Sequence, residues 1–119
     1  MKTFLAIFTC AENSEAHEAW KKLGREEQKS RLDQGPELLA KWSAKYQAQV
    51  IYDGGHLGEV TKQVDNKGIR DIPSQMGTFL IVQAKSHEEA AEMFVEHPHF
   101  AVFPGNGVEI IEQTGIPRV

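Results

Sequence analysis

Two short apolar runs restrict this sequence to a narrow set of folds: Lys2 to Thr9 (KTFLAIFT) and Gly77 to Ala84 (GTFLIVQA). Both are rich in aromatic and β-branched residues and too short for a typical helix, so each is expected to be a strand in a buried sheet. A helix signal follows each one. Asn13 or Ser14 is placed to cap a helix beginning near Glu15, with Glu15 and Glu18 at its positive end and Ala16, Ala19, Trp20 and Leu23 on one apolar face. Ser86 caps another, with Glu88 and Glu89 in its first turn and Ala90, Ala91, Phe94 and Val95 toward the core.

Helical periodicity extends from Ser14 to Ala48. It breaks at Gly24 and again at Gln34-Gly35-Pro36, where Pro36 suits the first turn of a new helix carrying Leu38, Leu39, Trp42 and Tyr46 on one stripe. Trp20 and Trp42 both lie on apolar stripes and are expected in the core or an interface. Gln49 to Asp53 is a short strand closed by Gly54-Gly55, and Glu59 to Val64 is a strand or hairpin arm. Asp65-Asn66-Lys67-Gly68 is turn chemistry, and Asp71 to Gly77 fits neither period. His97-Pro98 ends the Ser86 helix, because the residue before proline is pushed out of helical geometry. A loop over Phe103 to Gly107, a last strand over Val108 to Gln113 and an exposed tail from Gly115 complete the chain.

The order β, α, β, (β), β, α, β predicts an α+β protein: a ferredoxin-like βαββαβ unit with an antiparallel sheet and helices on one face. With 119 residues, 40% apolar and 25% charged, the chain suits one domain, 1–119, whose core needs neither metal nor disulfide. Helices on one side leave the other face of the sheet bare. A second copy is its simplest cover, so a homodimer is expected.

The formal net charge is −4, and the densest basic group, Lys21, Lys22 and Arg25, is followed at once by Glu26 and Glu27. Such a surface displaces few counterions from phosphates, so no nucleic-acid partner is expected. No stretch approaches the roughly 20 apolar residues of a membrane span, and Met1 to Cys10 lacks the long apolar region and cleavage site of a signal peptide. The expectation is a cytoplasmic protein with no membrane partner. Cys10, the sole cysteine, reads as a buried, inert thiol. No dinucleotide fingerprint follows a strand and there is no P-loop, so no cofactor is expected.

His97-Pro98-His99 is the most distinctive local feature. Two imidazoles so spaced can converge on a metal with His56 as third ligand, but no Cys/His spacing here matches a zinc module and no metal is expected. They can also serve a helix end, since a histidine near a helix C-terminus complements the dipole. A third reading has one of them move protons in a metal-free pocket, oriented by Asp53 or Asp71. In Asp53-Gly54-Gly55-His56 the glycines either bring His56 close to a ligand at a barrel mouth or make a tight turn with a surface histidine. Asn106, between two glycines, sits where backbone N–H groups can cradle an anion or simply turn the chain. Arg70 lies in the irregular stretch Lys67 to Met76, a candidate lid or pocket wall. The catalytic candidates are thus His56, His97, His99, Asp53 and Asp71, and the ligand-binding candidates Arg70 and Asn106.

The C-terminal third, GTFLIVQAKSHEEAAEMFVEHPHFAVFPGNGVEIIE, resembles the end of the YCII-related family. Ser86 to Phe94 matches that family's helix start, His97-Pro98-His99 falls on its proline turn, and Gly107-Val108-Glu109-Ile110 on its last strand. The N-terminal strand and the Asp53-Gly54-Gly55 turn are compatible with it. The resemblance implies a dimeric α/β barrel of ferredoxin-like subunits. There are two departures from its pattern: members often pair a histidine in the first helix region with an aspartate just before the turn proline, as a catalytic acid–base pair. Here that residue is His97, and Glu37 to Gln49 contains no histidine, so the pair does not carry over. The sequence therefore points to a YCII-like dimeric domain that binds a small molecule, with catalysis open. The alternative is a cofactor-free oxygenase, isomerase or lyase using His/Asp acid–base chemistry on a small organic substrate.

Overall fold

The computed structural model describes residues 1–10, 14–74, 76–102 and 105–115, with only the backbone of Ala101. Its elements are β1 (Lys2–Thr9), α1 (Glu15–Lys21), α2 (Arg25–Lys45), β2 (Val50–His56), β3 (Val60–Asp65), β4 (Gly68–Pro73), β5 (Met76–Ala84), α3 (His87–Glu92), α4 (Pro98–Ala101) and β6 (Gly107–Glu112). Four strands form an antiparallel sheet in the order β2-β5-β1-β6, and β3 and β4 form a separate two-stranded sheet. That order, with helices in the β1–β2 and β5–β6 connections, is the ferredoxin-like βαββαβ topology with a hairpin inserted after β2.

The two apolar runs are the central strands, as their composition requires. Residues two apart share a face, and Phe4, Ala6 and Phe8 of β1 are at most 2% exposed while Leu5 and Ile7 are half-buried. On β5 the buried set is Leu80, Val82 and Ala84. The register unites them, pairing Phe4 with Val82, Ala6 with Leu80 and Phe8 with Thr78. Trp42 from α2, Ala90 from α3, and Met93 and Phe94 just after it close over this face. Each large side chain so buried contributes about 1.5–3 kcal/mol. The Trp42 indole N–H also donates to the Met93 carbonyl at 2.8 Å, tying α2 to the turn after α3.

Three local expectations are corrected. The helix does not break at Pro36: α2 runs through Gly35-Pro36 without interruption, and the only break lies between Lys21 and Arg25. A proline forfeits one backbone hydrogen bond, which a 21-residue helix packed through Trp42 and Gly35 tolerates. The stretch from Asp71 to Gly77 is not irregular but contains the end of β4 and the start of β5. The alternation was invisible there because β4 has no buried face. Finally, His97 does not close a helix but opens one, as the N-cap of α4. Ser14 and Ser86 cap as expected, accepting the His17 and Glu89 N–H groups at 3.2 and 3.1 Å. Asn13, Phe103, Pro104 and the tail beyond Gly115 lie outside the described residues.

No described helix is long and apolar enough to cross a membrane. The radius of gyration is 16.1 Å, against about 13.5 Å for a compact chain of this length. On the β3–β4 hairpin Val60, Val64 and Ile69 are 66–72% exposed.

Candidate functional site

β2 is an edge strand that pairs with β5, and the pairing decides where its side chains go. Val50 lies opposite Val82, Asp53 opposite Leu80 and His56 opposite Thr78, which directs all three to the helix-covered side. Tyr52 lies opposite Ile81 and joins Phe79 on the other side, ring centroids 6.0 Å apart. Two register shifts, after Val50 and after Asp53, make this possible. An irregularity of this kind re-aims side chains at a strand edge. At the second shift Gly55 adopts a φ of +68°, a left-handed conformation open to glycine at little cost. Its N–H donates to Asp53 Oδ1 at 3.0 Å and its carbonyl accepts from the Thr78 hydroxyl. The double glycine is therefore a turn within the strand, and it carries Asp53 and His56 on the same face.

The second contributor is the start of α4. His97 has extended backbone (φ −64°, ψ 140°), and its Nδ1 accepts the His99 N–H at 2.9 Å. Pro98 follows at the first helical position, where a missing N–H is harmless. The His97 ring is 5% exposed and lies edge-on to Trp42 at 4.7 Å and to Phe8 at 4.8 Å. Burial, and then the proximity of His99, lower its pKa to about 4. His99 is lowered as well by burial, while hydrogen bonds to the Thr9 and Gly107 carbonyls pull the other way. Its Nε2 lies 2.9 Å from the Thr9 carbonyl. Its ring fills the space that a Cβ at Gly105 would need, which explains a glycine there without any unusual φ.

Between these two contributors is a cavity of about 590 Å³, within the usual range for small-molecule sites. Phe8, Leu39, Trp42, Val50 and Leu80 give it apolar walls, and Asp53, His56, Thr78, His97 and His99 give it polar groups. It opens beside β2, under the second half of α2. The tertiary fold thus brings together four of the residues singled out in the sequence. The others go elsewhere. Asp71 and Arg70 are on the hairpin, in exposed ion pairs with Lys62 and with Asp65 at 3.0 Å. Asn106 is exposed, and its N–H donates at 3.2 Å to the Thr9 carbonyl, the same oxygen that His99 Nε2 approaches. Among the described residues no three His, Cys, Asp or Glu side chains converge as a metal site. The thiol of Cys10 is half-buried, and burial pushes its pKa up.

A second, more open groove of about 570 Å³ lies between α2 and the α3–α4 segment. Its charges, Lys41, Lys45, Glu92 and Glu96, are solvated and converge on nothing. Sequence reasoning missed Leu39 and Thr78 as cavity residues, since they look like ordinary helix and strand positions. It also passed over His17 on α1, whose Nδ1 is buried without a partner but which does not line the cavity.

Comparison with known proteins came up empty at the sequence level: no family model matches the chain, and no curated protein matches it. Among solved structures, the chain is similar to 5-chloro-2-hydroxyhydroquinone dehydrochlorinase from Burkholderia phenoliruptrix AC1100, determined in complex with 2,5-dihydroxybenzoquinone. The two share 18% identity over 91% of this chain and 89% of that one, with a TM-score of 0.53. At that identity the likeness establishes a shared α+β fold.

Proposed function

We propose that this protein is a YCII-like domain that binds a small, largely apolar organic molecule in the cavity between β2 and α2. The observation that carries the reading is the convergence of Asp53, His56 and His97, from two distant segments, on one apolar-walled cavity of about 590 Å³. A few polar groups on apolar walls are what small-molecule sites use to fix orientation. The fold shared with an enzyme whose structure holds a quinone adds weight, as an analogy of fold.

The catalytic reading rests on a narrower point. Asp53 keeps one carboxylate oxygen on the Gly55 N–H, which fixes the group in the same wall as His56. A positioned titratable group can move a proton to or from an organic substrate, and Asp53 and His56 both line this cavity. The working molecule is a homodimer in this reading. Leu5, Ile7, Phe79 and Ile81 are in register on the helix-free side of the sheet, with Ile111 and Tyr52 exposed at 48% and 57% beside them. An apolar face of that kind calls for a second protein surface.

A thermal-shift screen of the protein against phenols, quinones, lactones and small acids tests the binding role. A ligand held by the native state alone raises stability by about 2.7 kcal/mol at a hundredfold excess over Kd. Asp53→Asn and His56→Gln should lose that shift while retaining the fold. No shift with any class would sink the reading. Sedimentation of Ile81→Asp against wild type tests the dimer, which the substitution should split; a wild-type monomer would refute it.

A further inference from the structure

We infer that His97 is a fixed hydrogen-bond donor in this cavity, presenting Nε2–H to a ligand oxygen, and is not a proton acceptor. The inference rests on the reading of the cavity as a small-molecule site, and it assigns the chemistry of one wall.

The argument starts from the backbone. The His99 N–H points at His97 Nδ1 across 2.9 Å, and a backbone N–H can only donate. Nδ1 must therefore offer a lone pair. A neutral imidazole with an unprotonated Nδ1 carries its proton on Nε2. A cationic ring would set two N–H groups against each other and break the cap. Phe8 and Trp42 hold the ring edge-on at 4.8 and 4.7 Å, which opposes the turn that would put Cδ2 in the place of Nδ1. Pro98 and the short helix behind it fix the backbone that supplies the N–H.

Nε2 has no protein partner among the described residues, yet it is not among the buried polar atoms without one, so it reaches accessible space. The residue lines the cavity. The titratable groups around it are His99 in the same turn and, on β2, Asp53 and His56 of the same cavity. β1 and α2 present Phe8 and Trp42, which do not titrate in this range. Burial and the neighbouring His99 both disfavour the cation, so the neutral donor persists across physiological pH.

A division of labour follows. His97 already holds its proton on the nitrogen that faces the ligand and cannot take up another there. Any proton abstraction falls to Asp53 or His56. A donor on an apolar-walled cavity suits a small ligand bearing a carbonyl, enolate or phenolate oxygen, and the charge-bearing oxygens are held most strongly.

The test is ¹⁵N–¹H correlation spectroscopy on the ligand-free protein labelled at histidine. The expected result is a non-protonated Nδ1 and a protonated Nε2 at His97, unchanged between about pH 5.5 and 8. A proton on Nδ1, or titration within that range, overturns the inference whatever the cavity binds. Adding 2,5-dihydroxybenzoquinone then separates the two claims. If the compound binds and the Nε2–H resonance moves, both stand. If it binds, as reported by Trp42 and Thr78, and that resonance stays still, the donor role falls and the cavity reading survives. If neither it nor a series of phenols binds while His97 shows the expected tautomer, the cavity reading falls and the state assigned to His97 holds. For a compound that binds, His97→Gln, which keeps an N–H near the Nε2 position, should weaken affinity less than His97→Phe. The Phe variant should lose about tenfold or more.

Discussion

Asp53 and Asp71 begin as near equals in the sequence, each offered as the carboxylate that would orient a histidine, and the fold separates them. Asp53 belongs to β2, whose partner β5 is itself paired with β1, so Asp53, though exposed, borders a walled cavity. Asp71 belongs to a hairpin that pairs only with itself, and Lys62 on the facing strand takes up its charge in the open. An exposed pair of this kind is worth little, because water already solvates both partners. The same side chain is thus a candidate ligand contact in one setting and a surface ornament in the other. The neighbouring strand decides which.

That contrast can be broken at several points. The largest effect should come from removing the wall itself. Trp42→Ala deletes a buried indole and leaves the Met93 carbonyl without its donor, at an expected cost of about 3–5 kcal/mol in urea unfolding. A loss below about 1 kcal/mol would mean that the cavity wall is not part of the core.

Acid should come next. His97 titrates near 6.5 when unfolded and about 4 when folded, so between those values the unfolded chain binds more protons. Stability is therefore level above about pH 6.5 and falls as pH drops toward 4, by an order of 3 kcal/mol. Urea midpoints measured against pH should show this slope, and His97→Gln should flatten it. His99, lowered in the same direction, adds to the loss.

Gly105→Ala should be milder, at about 1–3 kcal/mol. The new methyl meets an imidazole that cannot retreat from the Thr9 carbonyl, and in calorimetry the variant should melt earlier. An unchanged Tm would show that the ring gives way freely.

The hairpin supplies the smallest effect. Asp71→Asn should change stability by less than about 0.5 kcal/mol and leave ligand affinity untouched. A large change in affinity would bring the hairpin into the site and erase the comparison.

The sequence made the scaffold legible where one local pattern sufficed. Short apolar runs rich in aromatic and β-branched residues, KTFLAIFT and GTFLIVQA, marked the two central strands, and Ser14 and Ser86 marked the helix starts they cap. The His97-Pro98-His99 turn and the double glycine at Gly54-Gly55 stood out as unusual. Local pattern failed where its cause was distant. Pro36 looked like a boundary because the rest of the helix is not visible from one residue. The role of β4 was hidden because neither of its faces is buried.

What only the tertiary structure decided is which of the marked residues meet. Asp53 and His97 are far apart in the chain and line one cavity because β2 reaches β5 through an edge pairing with two register shifts, and because α4 starts where Phe8 and Trp42 can hold an imidazole. Register shifts and ring packing depend on contacts between segments remote in sequence. Periodicity, which compares a residue only with its near neighbours, carries no trace of them.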